Sequence, residues 1–156
     1  MTLILSSPAF ASHGEISRRH TCDGDDVSPA LAWHGVPMQA KSPVLIMDDP
    51  DAPDPAAPRI TWVHWLVYNL PPSSTGLTEG VAAAALPEGA LQGVNDWKRL
   101  GYGGPCPPIG QHRYFHKLYA LDTVLPDLKS PDKAKLEAAM HGHVITSAEL
   151  IGTYRR

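Results

Sequence analysis

This 156-residue chain has only two cysteines, no apolar run longer than six residues and no surplus of positive charge. Each shortage excludes something. The longest apolar run, Val81 to Leu86, falls far short of the roughly 20 residues that a membrane-spanning helix needs. Thirteen Lys and Arg stand against sixteen Asp and Glu, for a net charge of −3. The adjacent basic pairs are Arg18-Arg19, Lys98-Arg99 and Arg155-Arg156, too few for nucleic acid, whose binding needs many phosphate-neutralising cations. Ala9-Phe10-Ala11 has the small-x-small form of a leader cleavage site, but the stretch before it carries no Lys or Arg and is broken by Ser6, Ser7 and Pro8. The start therefore reads as an ordinary edge strand, and a cytoplasmic location is expected. Cys22 and Cys106 fit no C-x-x-C pattern. A reducing cytoplasm favours a pair of unbridged thiols; a bridge between two loops stays open. The chain also lacks a G-x-S-x-G elbow, a P-loop and an H-E-x-x-H zinc motif. Gly101-Tyr102-Gly103-Gly104 is glycine-rich, but Pro105 follows and no helix opens there.

Proline and glycine are plentiful instead, 16 and 13 residues, nearly a fifth of the chain. Proline breaks helix interiors and is confined to the edges and turns of sheets, so a helical bundle is disfavoured. With 43% apolar residues and four tryptophans, disorder is disfavoured too. A single domain over residues 1–156 is expected. At this length a chain buries roughly 70% of its unfolded surface, enough for a core without staples.

Thr2–Leu5 and Leu31–Trp33 read as short strands, and Val44–Met47 as a buried strand ended by Asp48-Asp49-Pro50. Four prolines between 50 and 58 forbid a helix there. Thr61–Leu70 carries apolar side chains on both faces, the pattern of a central strand covered on both sides. Residues 73–111 read mostly as loop, with a weak strand at Ala90–Gln92; so long a loop suggests a functional segment. Arg113–Asp122 is a second clear strand. Ser130 as N-cap, Pro131 at the first position and Gly142 as the stop define one helix. Val144–Tyr154 closes the chain as a strand. The sum is a mainly β sandwich, of Greek-key type, with a late helix.

Three segments carry candidate chemistry. In Asp49-Pro50-Asp51-Ala52-Pro53, strict alternation would put both aspartates on one side, although the same residues suit a solvated turn. His64 sits inside the central strand and would share a face with Trp62, Leu66 and Tyr68; a core histidine bonded to backbone is the plain alternative. In His112-Arg113-Tyr114-Phe115-His116, His112, Tyr114 and His116 face one way. Gly104 and Gly110 just upstream permit close backbone approach to a ligand. Two imidazoles, a phenol and exposed N–H groups would make a donor-rich pocket suited to an oxyanion such as phosphate. Zinc is the rival, with His64, His112 and Asp49 as three ligands beside a water. His141-Gly142-His143 reads as a solvated helix end.

Taken together, these segments resemble the phosphatidylethanolamine-binding protein family, most closely its bacterial and archaeal branch, often labelled Raf-kinase-inhibitor-like. The match includes Thr21-Cys22-Asp23-Gly24, Ser28-Pro29-Ala30-Leu31-Ala32-Trp33, Trp62-Val63-His64-Trp65, Gly101–Pro105 and Leu118-Tyr119-Ala120-Leu121-Asp122, in order along nearly the whole chain. The resemblance implies two β-sheets with one or two peripheral helices, and a small anion pocket at one end. It implies Asp49, His64, His112 and Tyr114 as pocket side chains, Gly104-Pro105 as ligand-contacting backbone, and Asp51 and Trp65 as rim or supporting residues. It implies a cis peptide at Ala52-Pro53, as a tight turn would tolerate. It implies a non-catalytic protein without cofactor or metal, whose partner is a phosphate-containing small molecule or phospholipid headgroup. Family relatives that bind kinases or inhibit proteases bring a protein partner in as an alternative, beside a zinc- or His/Asp-dependent hydrolase. Animal members carry a longer C-terminal segment beside the pocket; a chain ending at Arg156 is expected to have a more open pocket. The Ala-rich stretch Val81–Ala90 is a candidate dimer contact.

Overall fold

The computed structural model describes residues 2–156. Nine strands, one α-helix and two short 3₁₀ turns follow in the order β1 (Ile4–Ser6), β2 (Gly14–Glu15), a turn at Arg18–His20, β3 (Leu31–His34), β4 (Ser42–Ala52), β5 (Ile60–Tyr68), β6 (Gly76–Leu77), a turn at Ala83–Ala85, β7 (Leu91–Gln92), β8 (Gln111–Leu121), α1 (Lys133–Met140) and β9 (Val144–Arg155). They form a three-stranded sheet, β1-β3-β6, and a six-stranded sheet, β2-β9-β8-β4-β5-β7. The chain is mainly β with two sheets, in keeping with a proline and glycine content that disfavours a helical bundle.

The long strands have near-continuous apolar runs because the larger sheet is covered on both faces. One face meets the small sheet: Leu45, Met47, Trp65, Val67 and Leu118 pack with Leu5, Leu31 and Trp33. The opposite face carries Val44, Ile46, Val63, Leu66 and Tyr68, and α1 closes it with Leu136 and Met140. Buried Asp48 also opens on this side and pairs with Lys117 at 3.2 Å and with Lys133 of α1 at 2.8 Å.

Strand β4 does not stop at Met47. It runs on to Ala52, because the acids that would end it are all partnered, Asp48 by two lysines, Asp49 by His112 and Asp51 by Arg113. Pro50 lies where the register with β5 shifts, so its missing N–H breaks no ladder bond. The helix is capped by Asp132, not Ser130: the Asp132 carboxylate accepts from the Lys135 N–H at 2.8 Å. Lys129 and Ser130 both have left-handed backbone, φ 57° and 56°, and the Pro131 carbonyl is held by the Val94 N–H, so the chain only turns into the helix afterwards.

A bulge in β5 sets up the site. Asp48 pairs with Val63 while Met47 pairs with Trp65, so His64 is the extra residue. It flips the alternation. Val63 and Leu66 face α1, whereas Trp65 joins the inter-sheet core and His64 packs against Tyr114, with ring centroids 5.2 Å apart. His64 therefore does not share a face with Leu66 and Tyr68, as strict alternation predicts.

Cys22 and Cys106 are joined in a disulfide, which corrects the unbridged reading. The two turn-rich loops are already brought together by hydrogen bonds from Cys22 N–H to the Pro105 carbonyl (3.1 Å), Gly104 N–H to Asp26 Oδ1 (2.9 Å) and Tyr102 Oη to the His20 carbonyl (2.6 Å). Nothing in the spacing of the two cysteines, 84 residues apart, announces that meeting.

Candidate functional site

The C-terminal end of β4 and the N-terminal ends of its two neighbours, β5 and β8, meet at one end of the large sheet's central strands. The segment 97–108 folds over them, and a cavity of about 430 Å³ lies between. Asp49, His64, His112 and Tyr114 line it together with Ala52, Pro53, Arg59, Ile60, Trp62, Trp97, Cys106, Pro107 and Pro108. The four polar side chains come from three strands, and each is at most 3% exposed. Ala52-Pro53 is a cis peptide in the wall.

Asp49 and His112 form a buried pair, Nδ1 to Oδ2 at 2.6 Å. The other ring nitrogen, Nε2, is 2.8 Å from the Ile109 carbonyl. A carbonyl only accepts, so Nε2 carries a proton and Nδ1 meets the carboxyl across one further proton. The pair as a unit is neutral. Burial pushes the Asp49 carboxyl above the usual range, against the opposing pull of the His112 hydrogen bond. Its second oxygen accepts from the Asp51 N–H at 2.7 Å.

His64 is fixed differently. Its Nδ1–H donates to the Gly103 carbonyl at 2.7 Å. Burial pushes its pKa down to about 4, so the ring is neutral at ordinary pH and Nε2 is a lone-pair acceptor. Tyr114 is fully buried, and burial raises its phenol pKa, so the hydroxyl keeps its proton. The Tyr114 hydroxyl and the Trp62 indole Nε1 are both buried without a hydrogen-bond partner. Buried polar groups are nearly always satisfied, so two orphaned donors on the wall of one cavity are conspicuous. Arg59 adds a positive charge at the exposed side of the wall.

The histidines thus differ from their expected role as donors. Both ring nitrogens of His112 face protein partners, and the one N–H of His64 is spent on Gly103. The donors left for a ligand are Tyr114, Trp62 and Arg59. Among the described residues no three His, Cys, Asp or Glu side chains converge as a metal set. Both His112 nitrogens are turned to protein partners, and His64 Nδ1 to Gly103, so the three residues weighed as zinc ligands do not converge on one point in this arrangement.

Other expected residues stand behind the cavity. Asp51 does not line it; a register shift after Asp49 turns its carboxylate to Arg113, at 2.8 Å, and that guanidinium holds its pKa below the usual range. Trp65 lies in the inter-sheet core, with Nε1 donating to Gln92 at 2.9 Å and its ring edge-on to Tyr102. The backbone of Gly104 and Pro105 is taken up by Asp26 and Cys22, and Cys106, Pro107 and Pro108 supply the wall instead. A Cβ on Gly104 would lie 2.3 Å from the His20 carbonyl oxygen, so close loop packing requires this glycine. Arg59, Trp62 and Trp97 were not singled out as site residues by sequence. Trp62 shares the His64 face by alternation, which is a usable signal; Trp97 arrives from a loop and leaves none.

Fold and site together define a class: two-sheet β-proteins with a small buried-polar cavity at one end of the larger sheet's central strands. The chain belongs to the phosphatidylethanolamine-binding protein family, whose sequence profile matches residues 6–155. It is 54% identical over 153 residues to the UPF0098 protein of Methanothermobacter thermautotrophicus, covering 97% of this chain and 98% of that one. Among solved structures it is similar to a Chlamydia trachomatis protein described as a homologue of phosphatidylethanolamine-binding proteins, with a TM-score of 0.91, 42% identity and coverage of 99% and 98%. It is also similar to Escherichia coli YbcL, described as a member of the mammalian family, with a TM-score of 0.89, 31% identity and coverage of 100% and 99%.

Proposed function

We propose that the protein is a non-catalytic binding protein for phosphate-type anions, including phosphoethanolamine-like headgroups, and that the ligand sits against Tyr114, Trp62, His64 and Arg59. One observation carries this reading: the Tyr114 hydroxyl and the Trp62 Nε1 are buried donors without a partner on the wall of one cavity. A phosphate-type anion in the cavity would offer an acceptor to each. The Asp49–His112 pair, neutral as a unit, does not repel it. The family's name points to the same headgroup chemistry. No helix among the described residues is long and apolar enough to cross a membrane. The disulfide bears against the expected cytoplasmic location, since bridged cysteines persist chiefly in oxidising compartments.

The neutral His64 makes the reading specific. Its Nε2 accepts a hydrogen bond, so a ligand with both bare and protonated oxygens fits better than one with bare oxygens alone. Phosphate near neutrality carries such a proton and sulfate does not. Phosphate is expected to bind about tenfold more tightly than sulfate, the scale of one buried acceptor left unmatched. Titration with each anion, followed by the Trp62 indole N–H resonance in NMR, checks this. Phosphate should move that resonance as the orphaned N–H gains an acceptor. A Trp62 signal unmoved at millimolar phosphate would sink the reading.

A further inference from the structure

The segment 101–110 does more than close the cavity: it supplies the carbonyls that orient both site histidines, Gly103 for His64 and Ile109 for His112. Its two halves are held unequally. The upstream half is tied by Tyr102 to His20, Gly103 N–H to the His64 carbonyl, Gly104 to Asp26 and Pro105 to Cys22. In the downstream half, Pro107 and Pro108 have no N–H to give, and Pro108, Ile109 and Gly110 are exposed. The Cys22–Cys106 bond sits at the boundary, with Cys106 on the cavity wall and Cys22 open to solvent.

We propose that the Cys22–Cys106 disulfide is a redox control on the site, positioning the 106–110 arm so that Ile109 fixes the His112–Asp49 pair. The proposal rests on the cavity being the binding site argued above. The reductant is a dithiol. One thiolate attacks the sulfur of Cys22, the more exposed of the two residues, the bond to Cys106 breaks, and its electron pair leaves on the Cys106 sulfur, which takes a proton. The second thiolate of the reductant then displaces the Cys22 sulfur, which is protonated in turn. The reductant leaves as its own disulfide, and two electrons and two protons have passed to the protein. The arm loses its anchor and the Ile109 carbonyl loosens from His112. His64 stays in place, because Gly103 is held by hydrogen bonds that reduction leaves alone.

The test compares the oxidised chain, the same chain reduced with dithiothreitol, and the Cys22→Ser/Cys106→Ser variant. Imidazole nitrogen shifts are read by NMR, and inorganic phosphate is titrated into each. Reduction should shift the His112 nitrogens, leave those of His64 unchanged and weaken phosphate binding at least about fivefold, the lower end of ordinary coupling between two sites. The serine variant should match the reduced chain and ignore dithiothreitol. Unmoved His112 nitrogens overturn the proposal, as does unchanged phosphate affinity in a reduced, folded chain. Loss of near-ultraviolet circular dichroism on reduction also overturns it, since the bond would then hold the whole fold. If the oxidised chain binds no phosphate, the binding reading fails, and the His112 and His64 shifts still decide whether the bond positions His112.

Discussion

Stability is expected to fall steeply as pH drops from 6.5 towards 4, by about 3 kcal/mol for each of two buried histidines at the lower limit. His64 and His116 are both buried, and burial pushes each from 6.5 down to about 4. In the unfolded chain each takes up a proton below pH 6.5; in the fold neither does until about pH 4. Across that window the unfolded state binds more protons, so acid favours unfolding. Asp51 has the same sign but acts lower: Arg113 holds its pKa below the usual 3.8, so its contribution is lost only as pH falls beneath that value. Asp49 works against it: its raised pKa lets the fold gain a proton earlier than the unfolded chain does. Urea midpoints measured from pH 7 to 4 check the slope. His116 packs against Phe10 and lies outside the cavity lining, so His116→Phe should remove about half of it. A stability that stays flat between pH 6.5 and 4.5 would show that these rings are not buried neutral.

Asp49→Ala is expected to cost about 3 kcal/mol, the scale for removing one partner of a buried ionisable pair. Two groups lose their hydrogen-bond partner together: His112 Nδ1, at 2.6 Å, and the Asp51 N–H, at 2.7 Å. Asp49→Asn should recover more than half of that. Its amide oxygen can still take the Asp51 N–H, and its NH₂ can donate to an unprotonated His112 Nδ1. The same urea titration at pH 7 measures both variants. An alanine cost below about 1 kcal/mol would mean that the pair behaves like an exposed one.

The element order was legible from the residues because its causes are local. Proline density, the apolar runs of β4, β5 and β8, and the glycine after the helix each act within a few positions. The inward set His112, Tyr114 and His116 followed from alternation because β8 is regular through those residues. His64 escaped alternation because a single extra residue in β5 turns one side chain without altering composition. The helix cap slipped from Ser130 to Asp132 because either residue can cap and only the path of the chain decides. The disulfide stayed an open alternative because two distant loops are brought together by hydrogen bonds that no spacing encodes. The larger change concerns protons. Sequence shows that histidines are present but not which nitrogens are already spent: those of His112 and the N–H of His64 are taken up, while Tyr114 and Trp62 keep unpartnered donors, which is why the proposed site assigns the donor role to them.

Tyr114→Phe tests that reassignment most directly, through phosphate affinity and melting temperature measured on the same protein. Removing an unpartnered buried hydroxyl relieves a polar group that nothing in the ligand-free fold satisfies. The variant should therefore melt no lower than the parent without phosphate, yet bind phosphate about tenfold more weakly. Unchanged phosphate affinity in the variant would contradict the account.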